Sequence, residues 1–221
     1  MAAPEPSPGS QAERSHSKMP ISPATPLVLG SGSPRRREIL TGLGFALSVR
    51  PADVVEDVCD GESPAAYLDR IVADKLAAVA RGLDSVAYAG VLVADTIVVI
   101  DGEILGKPEN ESDAAALVGR LVGRTHDVFT RYAISRAPEP RAVVRTRTVA
   151  SRVTMRAADA NEIRGYARTR EGLDKAGAYA VQGIGSFLVE RIQGSYSNVI
   201  GLPACEVVLD LRAAGLLERF P

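Results

Sequence analysis

The 221-residue chain has no tryptophan, two histidines, two cysteines and a formal net charge of −1. Each shortage removes a class of function. His16 and His126 are too few for a multi-histidine zinc site and argue against a Ser-His-Asp hydrolase. Cys59 and Cys205 have no paired spacing, so neither a zinc knuckle nor a disulfide framework is expected, and both read as reduced thiols of a cytoplasmic protein. Balanced charge supplies no global basic field for nucleic acid or an anionic membrane surface. Without aromatic residues interleaved among basic ones, a single-strand nucleic-acid binder is also excluded. The longest apolar run, Val91 to Ile100, is too short to span a bilayer and contains Asp95, so no membrane segment is expected.

What remains is a chain long enough for one sizeable α/β domain. Residues 1–25 are rich in Pro, Ser and Ala and carry no signal-peptide core; they read as a disordered extension before a domain over 26–221. From there strands and helices alternate, predicting a mixed sheet flanked by helices, in two lobes around a deep cleft. Strands are expected at Leu27 to Leu29, Phe45 to Val49, Val91 to Ala94, Ile97 to Ile100, His126 to Ser135 and Ala142 to Met155. Asp101-Gly102 signals a tight turn, and the last two strands should be antiparallel. Helices are expected at Pro34 to Thr41, from Ser63-Pro64 to Ala80, at Ser112 to Leu121, Asp159 to Ala167 and from Pro203 to Ala214.

Chemistry must rest on carboxylates and basic groups. Gly30-Ser31-Gly32-Ser33-Pro34-Arg35-Arg36 joins a short strand to a helix. Its glycines permit a sharp turn and close approach to a ligand, Ser33 is a good N-cap, and Pro34 suits the first helical position. Free amides there, with two arginines that oppose the helix dipole, point to a bound polyanion such as phosphate. Asp95 interrupts an apolar run where a charge is costly unless it is paired or bound to a cation; it reads as a metal ligand or general base at a strand end, or as a structural turn aspartate. Lys75 occupies the apolar stripe Leu68, Ile71, Val72, Val79 and should seek an anion or snorkel past the edge. Lys107, extended before Pro108, can reach a phosphate. Asp53, Glu56, Asp57 and Asp60 form an acidic stretch expected to be mostly solvated. Gln182, in a glycine-rich segment, offers a donor and an acceptor suited to a base edge. Gly194 to Asn198 reads as a polar turn.

Taken together, Ser31-Gly32-Ser33-Pro34-Arg35-Arg36, Ala94-Asp95-Thr96, Gly106-Lys107-Pro108, Gly123-Arg124-Thr125-His126, Asp174-Lys175-Ala176-Gly177-Ala178-Tyr179 and Gly194-Ser195-Tyr196-Ser197-Asn198-Val199-Ile200-Gly201-Leu202-Pro203 occur in the order found in the Maf family of nucleoside triphosphate pyrophosphatases. The chain resembles that family from about Leu27 to Leu217. The resemblance implies a fold similar to inosine triphosphate pyrophosphatases and cleavage of a nucleoside triphosphate to monophosphate and pyrophosphate with a divalent cation, Mg²⁺ or Mn²⁺. Asp95 then matches the proton acceptor. Arg36, Thr96 and Gln182 match substrate-selecting positions, while Ser31, Ser33, Arg35, Lys75 and Lys107 match the phosphate cleft. Glu56 aligns with an acidic residue that would hold metal alongside Asp95. Gln182 resembles the branch acting on dTTP and UTP, including modified pyrimidines such as 5-methyl-UTP and pseudo-UTP, whereas the 7-methyl-GTP branch usually has Glu there. Arg131 stands where many members have glycine. The resemblance also implies a homodimer and a small-molecule nucleotide as the partner. The rival reading is a nucleotide-binding regulator of septum formation without turnover.

Overall fold

The computed structural model describes residues 19–83 and 86–219. A single seven-stranded sheet, ordered β2-β1-β3-β5-β6-β7 with β4 beside β3, runs through the molecule, so the two expected lobes share one sheet. β1 (Leu27–Leu29) lies parallel to β2 (Leu47–Val49) and β3 (Gly90–Ile100). β4 (Glu103–Leu105), β5 (Thr125–Arg136), β6 (Glu139–Met155) and β7 (Val189–Gln193) complete it in antiparallel pairings.

The helices begin where capping chemistry places them. α1 (Pro34–Gly42) and α2 (Pro64–Ala80) have Ser33 and Ser63 as side-chain N-caps with proline in the first turn. Asn110 caps α3 (Glu111–Leu121), and a capping box of Asp159 and Glu162 starts α4 (Ala160–Arg168). α5 (Tyr196–Ile200) and α6 (Ala204–Ala213) follow. The stretch read as a polar turn at Gly194 to Asn198 therefore starts a helix, because the Ser195 hydroxyl accepts the Asn198 amide.

Several boundaries differ from expectation. β2 starts at Leu47 rather than Phe45, whose side chain is buried beside Leu40 and whose amide bonds the Leu40 carbonyl. The segments expected at 91–94 and 97–100 are one strand, since pairing with β5 continues unbroken through Asp95. Asp101 and Gly102, both at positive φ, form the turn into β4. The extension expected over 1–25 is docked at its end: the Ile21 amide donates to the Leu216 carbonyl, Ser22 and Thr25 close a turn, and Ile21 packs on the core. Residues 1–18 lie outside the described residues.

β3 organises the core by alternation, because successive side chains of a strand face opposite sides. Val91 and Val93 pack on Val72, Leu76 and Val79 of α2, and Ile97 and Val99 on Leu68 and Ile71. Leu92 and Ala94 meet Leu40, Val207 and Leu211 on the other face. One edge of β3 is shared by two short strands. β1 covers Gly90 to Leu92 and β4 covers Val98 to Ile100. The backbone from Val93 to Ile97 has no strand against it on that edge, and the loop leaving β1 turns away there, opening a crevice beyond the carboxyl end of a parallel strand.

Candidate active site

A cavity of about 770 Å³ occupies that crevice, and Asp95 and Thr96 lie at its floor. Asp95 is not at a strand end but mid-strand, held by ladder pairing with Arg131, and the two neighbours serve opposite faces. On the α2 face, the Asp95 carboxylate is 7% exposed and Lys75, 6% exposed, donates to its Oδ1 at 2.5 Å. The same ammonium lies 2.6 Å from Glu56 Oε1, and Lys107 donates to Glu56 Oε2 at 3.1 Å. Two carboxylates and two ammonium groups thus form a formally neutral cluster. Lysine in the apolar stripe of α2 finds its anions here, at the open end of the stripe. Asp95 Oδ2 accepts from no described residue. Partial burial pushes the Glu56 carboxyl up, but the hydrogen bond and charge of Lys75, then Lys107, hold it below the ordinary range.

The acidic stretch is otherwise solvated, as expected, and α2 fixes it. Tyr67 donates to the Glu56 carbonyl at 3.1 Å, while Arg70 bonds both Glu62 carboxylate oxygens and the Asp57 carbonyl.

On the other face of β3 lies Arg36, 8% exposed. Its guanidinium donates to the Gly201 carbonyl at 2.9 Å, Ser31 Oγ at 3.0 Å and Thr96 Oγ1 at 3.1 Å. Thr96 Oγ1 also meets Thr130 Oγ1 at 2.8 Å. Arg36 therefore ties α1, β3 and the end of α5 together, with three of its five N–H donors engaged. Desolvation lowers its pKa against the opposing pull of Asp95. Arg35 instead points across the opening to Asp174, Nη1 to Oδ2 at 2.8 Å. The sequence suggested two arginines awaiting an anion, whereas both are already paired within the chain.

The loop itself retains donors. Amides of Ser31, Gly32 and Arg35 donate to no described residue. Gly32 has room above it, with Pro51 3.8 Å from a would-be Cβ. Gly30 is needed for packing rather than for ligand approach, since a Cβ there would lie 2.6 Å from Val93 and 2.7 Å from Val79. Gln182 is exposed at the cavity wall and makes no side-chain hydrogen bond to a described residue. All the residues that the resemblance assigns to the site, Ser31, Ser33, Arg35, Arg36, Glu56, Lys75, Asp95, Thr96, Lys107 and Gln182, line this one cavity.

A profile described as "Maf: Maf-like protein" matches residues 26–214. The chain belongs to the Maf family. Among Maf-related proteins, one from Myxococcus xanthus named dTTP/UTP pyrophosphatase is 47% identical over 192 residues, covering 87% of this chain and 94% of its own. One of the same name from Geobacter sulfurreducens is 43% identical over 191 residues, covering 86% and 97%. The solved Staphylococcus aureus Ham1 protein matches at 17% identity and a TM-score of 0.38 over 60% of this chain and 72% of that one, a likeness too low to bear on the fold.

In this Maf chain no group of three or more His, Cys, Asp or Glu side chains suited to a metal occurs among the described residues. Asp95 and Glu56, joined through one ammonium, are the donor set available. That set fits a hard cation such as Mg²⁺, which takes one or two carboxylates and completes its shell with water and substrate phosphate. No helix among the described residues is long and apolar enough to cross a membrane. Sequence reasoning missed three residues around the cavity. Asp174 faces Arg35, Glu171 holds the loop carrying Gln182, and Tyr179 of the cavity wall bonds buried His126 at 2.8 Å. Only Asp174 and Tyr179 fell inside a quoted motif, and nothing local marked their partners.

Proposed function

We propose that this protein hydrolyses dTTP and UTP to the monophosphate and pyrophosphate in the cavity over Asp95, acting in the cytoplasm as a homodimer. One observation carries the reading: Asp95 is buried, fixed through Oδ1 by Lys75 with Oδ2 unclaimed among the described residues, and lines the same cavity as a loop of unsatisfied amides. The names of the relatives support the substrate, and two exposed free thiols, Cys59 and Cys205, agree with a reducing compartment.

The triphosphate lies along the Ser31–Arg35 loop at the N-terminus of α1, where amides and helix dipole favour anions. Ser31 Oγ accepts from Arg36 and from the Ser33 amide, and Ser33 Oγ accepts from the Arg36 amide. Both hydroxyl protons remain to donate to phosphate oxygens. Arg35 exchanges Asp174 for phosphate and Lys107 exchanges Glu56, each giving up an exposed ion pair of modest worth. Lys75 holds the Asp95 carboxylate in place through Oδ1. Oδ2 of Asp95 accepts the proton of water attacking the α-phosphorus, and the leaving pyrophosphate departs into the basic wall. Mg²⁺ or Mn²⁺ held by Asp95 and Glu56 would neutralise charge on the phosphates. The Gln182 amide, donor and acceptor side by side, meets the mixed edge of uracil or thymine, with Thr96 and Arg36 shaping the floor.

The test is pyrophosphate release from dTTP, UTP, CTP, GTP, ATP, 5-methyl-UTP, pseudo-UTP and 7-methyl-GTP with Mg²⁺ or Mn²⁺, with Asp95→Asn beside the wild type. Preference for dTTP and UTP, lost in the variant, is the expected result. Turnover chiefly of 7-methyl-GTP would keep the reaction and overturn the base. Folded protein that binds nucleotide and releases no pyrophosphate would favour the septum-formation regulator. Sedimentation equilibrium checks the dimer.

A further inference from the structure

Gln182 sits between two 3-10 turns, Ala176–Ala178 and Ile184–Leu188, in backbone that ladder and helix bonds do not hold. Val181 and Gln182 neither give nor receive a backbone hydrogen bond among the described residues. A residue that is to read a base edge needs a fixed backbone, so something else must supply it. Two side chains do, Tyr166 of α4 and Glu171 in the turn that follows it. The Glu171 carboxylate accepts the Ile184 amide at Oε1, 2.7 Å, and the Gly185 amide at Oε2, 2.8 Å. Tyr166 donates to Glu171 Oε2 at 3.0 Å, and its oxygen accepts the Ala180 amide at 3.0 Å. Both sides of Gln182 are thereby tied to one Tyr–Glu pair.

The wrap is tight. A Cβ on Gly183 would fall 1.9 Å from Glu171 Oε1, and one on Gly185 would fall 2.6 Å from the Tyr166 oxygen. The pair is itself braced, since Thr169 Oγ1 donates to the Tyr166 carbonyl and accepts the Glu171 amide. Lys175 Nζ donates to the Glu171 carbonyl. A carboxylate with three donors converging on it is a specific anchor, stronger than neutral contacts of the same shape.

We propose that Glu171 and Tyr166 are positioning residues for Gln182, and that through it they set how strongly the enzyme prefers uracil and thymine over cytosine. They touch neither phosphate nor the reacting atoms, and their effect is confined to discrimination at the base. The inference rests on Gln182 contacting the base, as read above.

The experiment measures kcat and KM for UTP and CTP in the wild type, Glu171→Gln, Tyr166→Phe and Gln182→Ala. Glu171→Gln keeps the shape but turns one of the two acceptor oxygens into a donor, set against either the Ile184 or the Gly185 amide. It should cut the UTP-over-CTP ratio of kcat/KM about tenfold, the scale of one misplaced hydrogen bond. Tyr166→Phe, which loses a single hydroxyl, should cut it about threefold. The saturating rate on UTP should fall less than the ratio does. An unchanged ratio in folded Glu171→Gln and Tyr166→Phe, beside a fallen ratio in Gln182→Ala, would overturn the positioning role and leave the base contact standing. Equal losses for both nucleotides would likewise overturn it, since that is what loosened packing alone produces. If Glu171→Gln does not fold, Tyr166→Phe decides by the same criterion. A wild-type ratio in Gln182→Ala would instead refute the base contact, and with it this inference.

Discussion

Asp95 in β3 and Asp210 in α6 are both buried aspartates, 7% and 5% exposed, yet their surroundings assign them different work. Asp210 of α6 accepts the Tyr132 hydroxyl at Oδ2, 2.5 Å, and Arg147 Nη2 at Oδ1, 2.8 Å, so both oxygens are spoken for. It does not line the cavity over Asp95. It pins α6 to β5 and β6. Asp95 is fixed through one oxygen, has the other unclaimed among the described residues, and lines a cavity. His126 supplies the third case: its Nδ1 has no partner among the described residues, but the ring is buried edge-on against Tyr179 and does not line the cavity. Reactivity thus needs both an unclaimed atom and an opening. Burial alone identifies neither.

The largest test of this contrast is a pair of substitutions. Asp95→Asn should lower kcat on UTP about a thousandfold, as for loss of a general base. Asp210→Ala should leave the folded enzyme's kcat within about threefold while costing about 2–3 kcal/mol of stability, because the Tyr132 hydroxyl loses its acceptor. Comparable activity losses in both, at matched folding, would erase the distinction. Next comes His126. Burial holds it at about 4, below its ordinary 6.5, so the unfolded chain takes up the proton first. Its stability contribution is complete above pH 6.5 and is lost as pH falls toward 4, a drop of up to about 3 kcal/mol. In urea titrations at pH 7 and pH 5, His126→Phe should flatten that slope, and a slope equal to the wild type's would place the titration elsewhere. The smallest effect is expected at the exposed Arg35–Asp174 pair. If Asp174 competes with phosphate for Arg35, Asp174→Asn should lower KM for UTP about twofold to threefold. A raised KM would mean that the bridge holds the loop in its binding shape instead.

Legibility followed the range of the interactions. Caps are local, so α1 and α2 could be placed from Ser33-Pro34 and Ser63-Pro64, with α2 ending at Ala80 as expected. Helical spacing exposed Lys75 as an ion in an apolar stripe, and the structure gives it Asp95 and Glu56. The continuous β3 was split in reading because Asp95 and Thr96 look like a break, though strand pairing tolerates them once Lys75 and Arg36 satisfy them. β4 is three residues long and announced only by its turn. The anchors of Gln182 lie 11 and 16 residues before it, in the turn after α4 and on α4 itself, and no periodicity links them. In sequence Arg36 looks like an anion ligand because two of its partners, Gly201 and Thr96, come from distant parts of the chain.

The alternation of β3 has a consequence for how such a site can change over generations. Asp95 and Thr96 belong to chemistry and to floor only because consecutive residues face opposite sides. Inserting or deleting one residue between Gly90 and Asp95 would shift the frame relative to β5 and carry the carboxylate toward Arg36, with the threonine against Lys75. Substitutions can retune either face separately, but a length change in this strand exchanges the two together. Diversification here should proceed by replacement, with insertions confined to the loops.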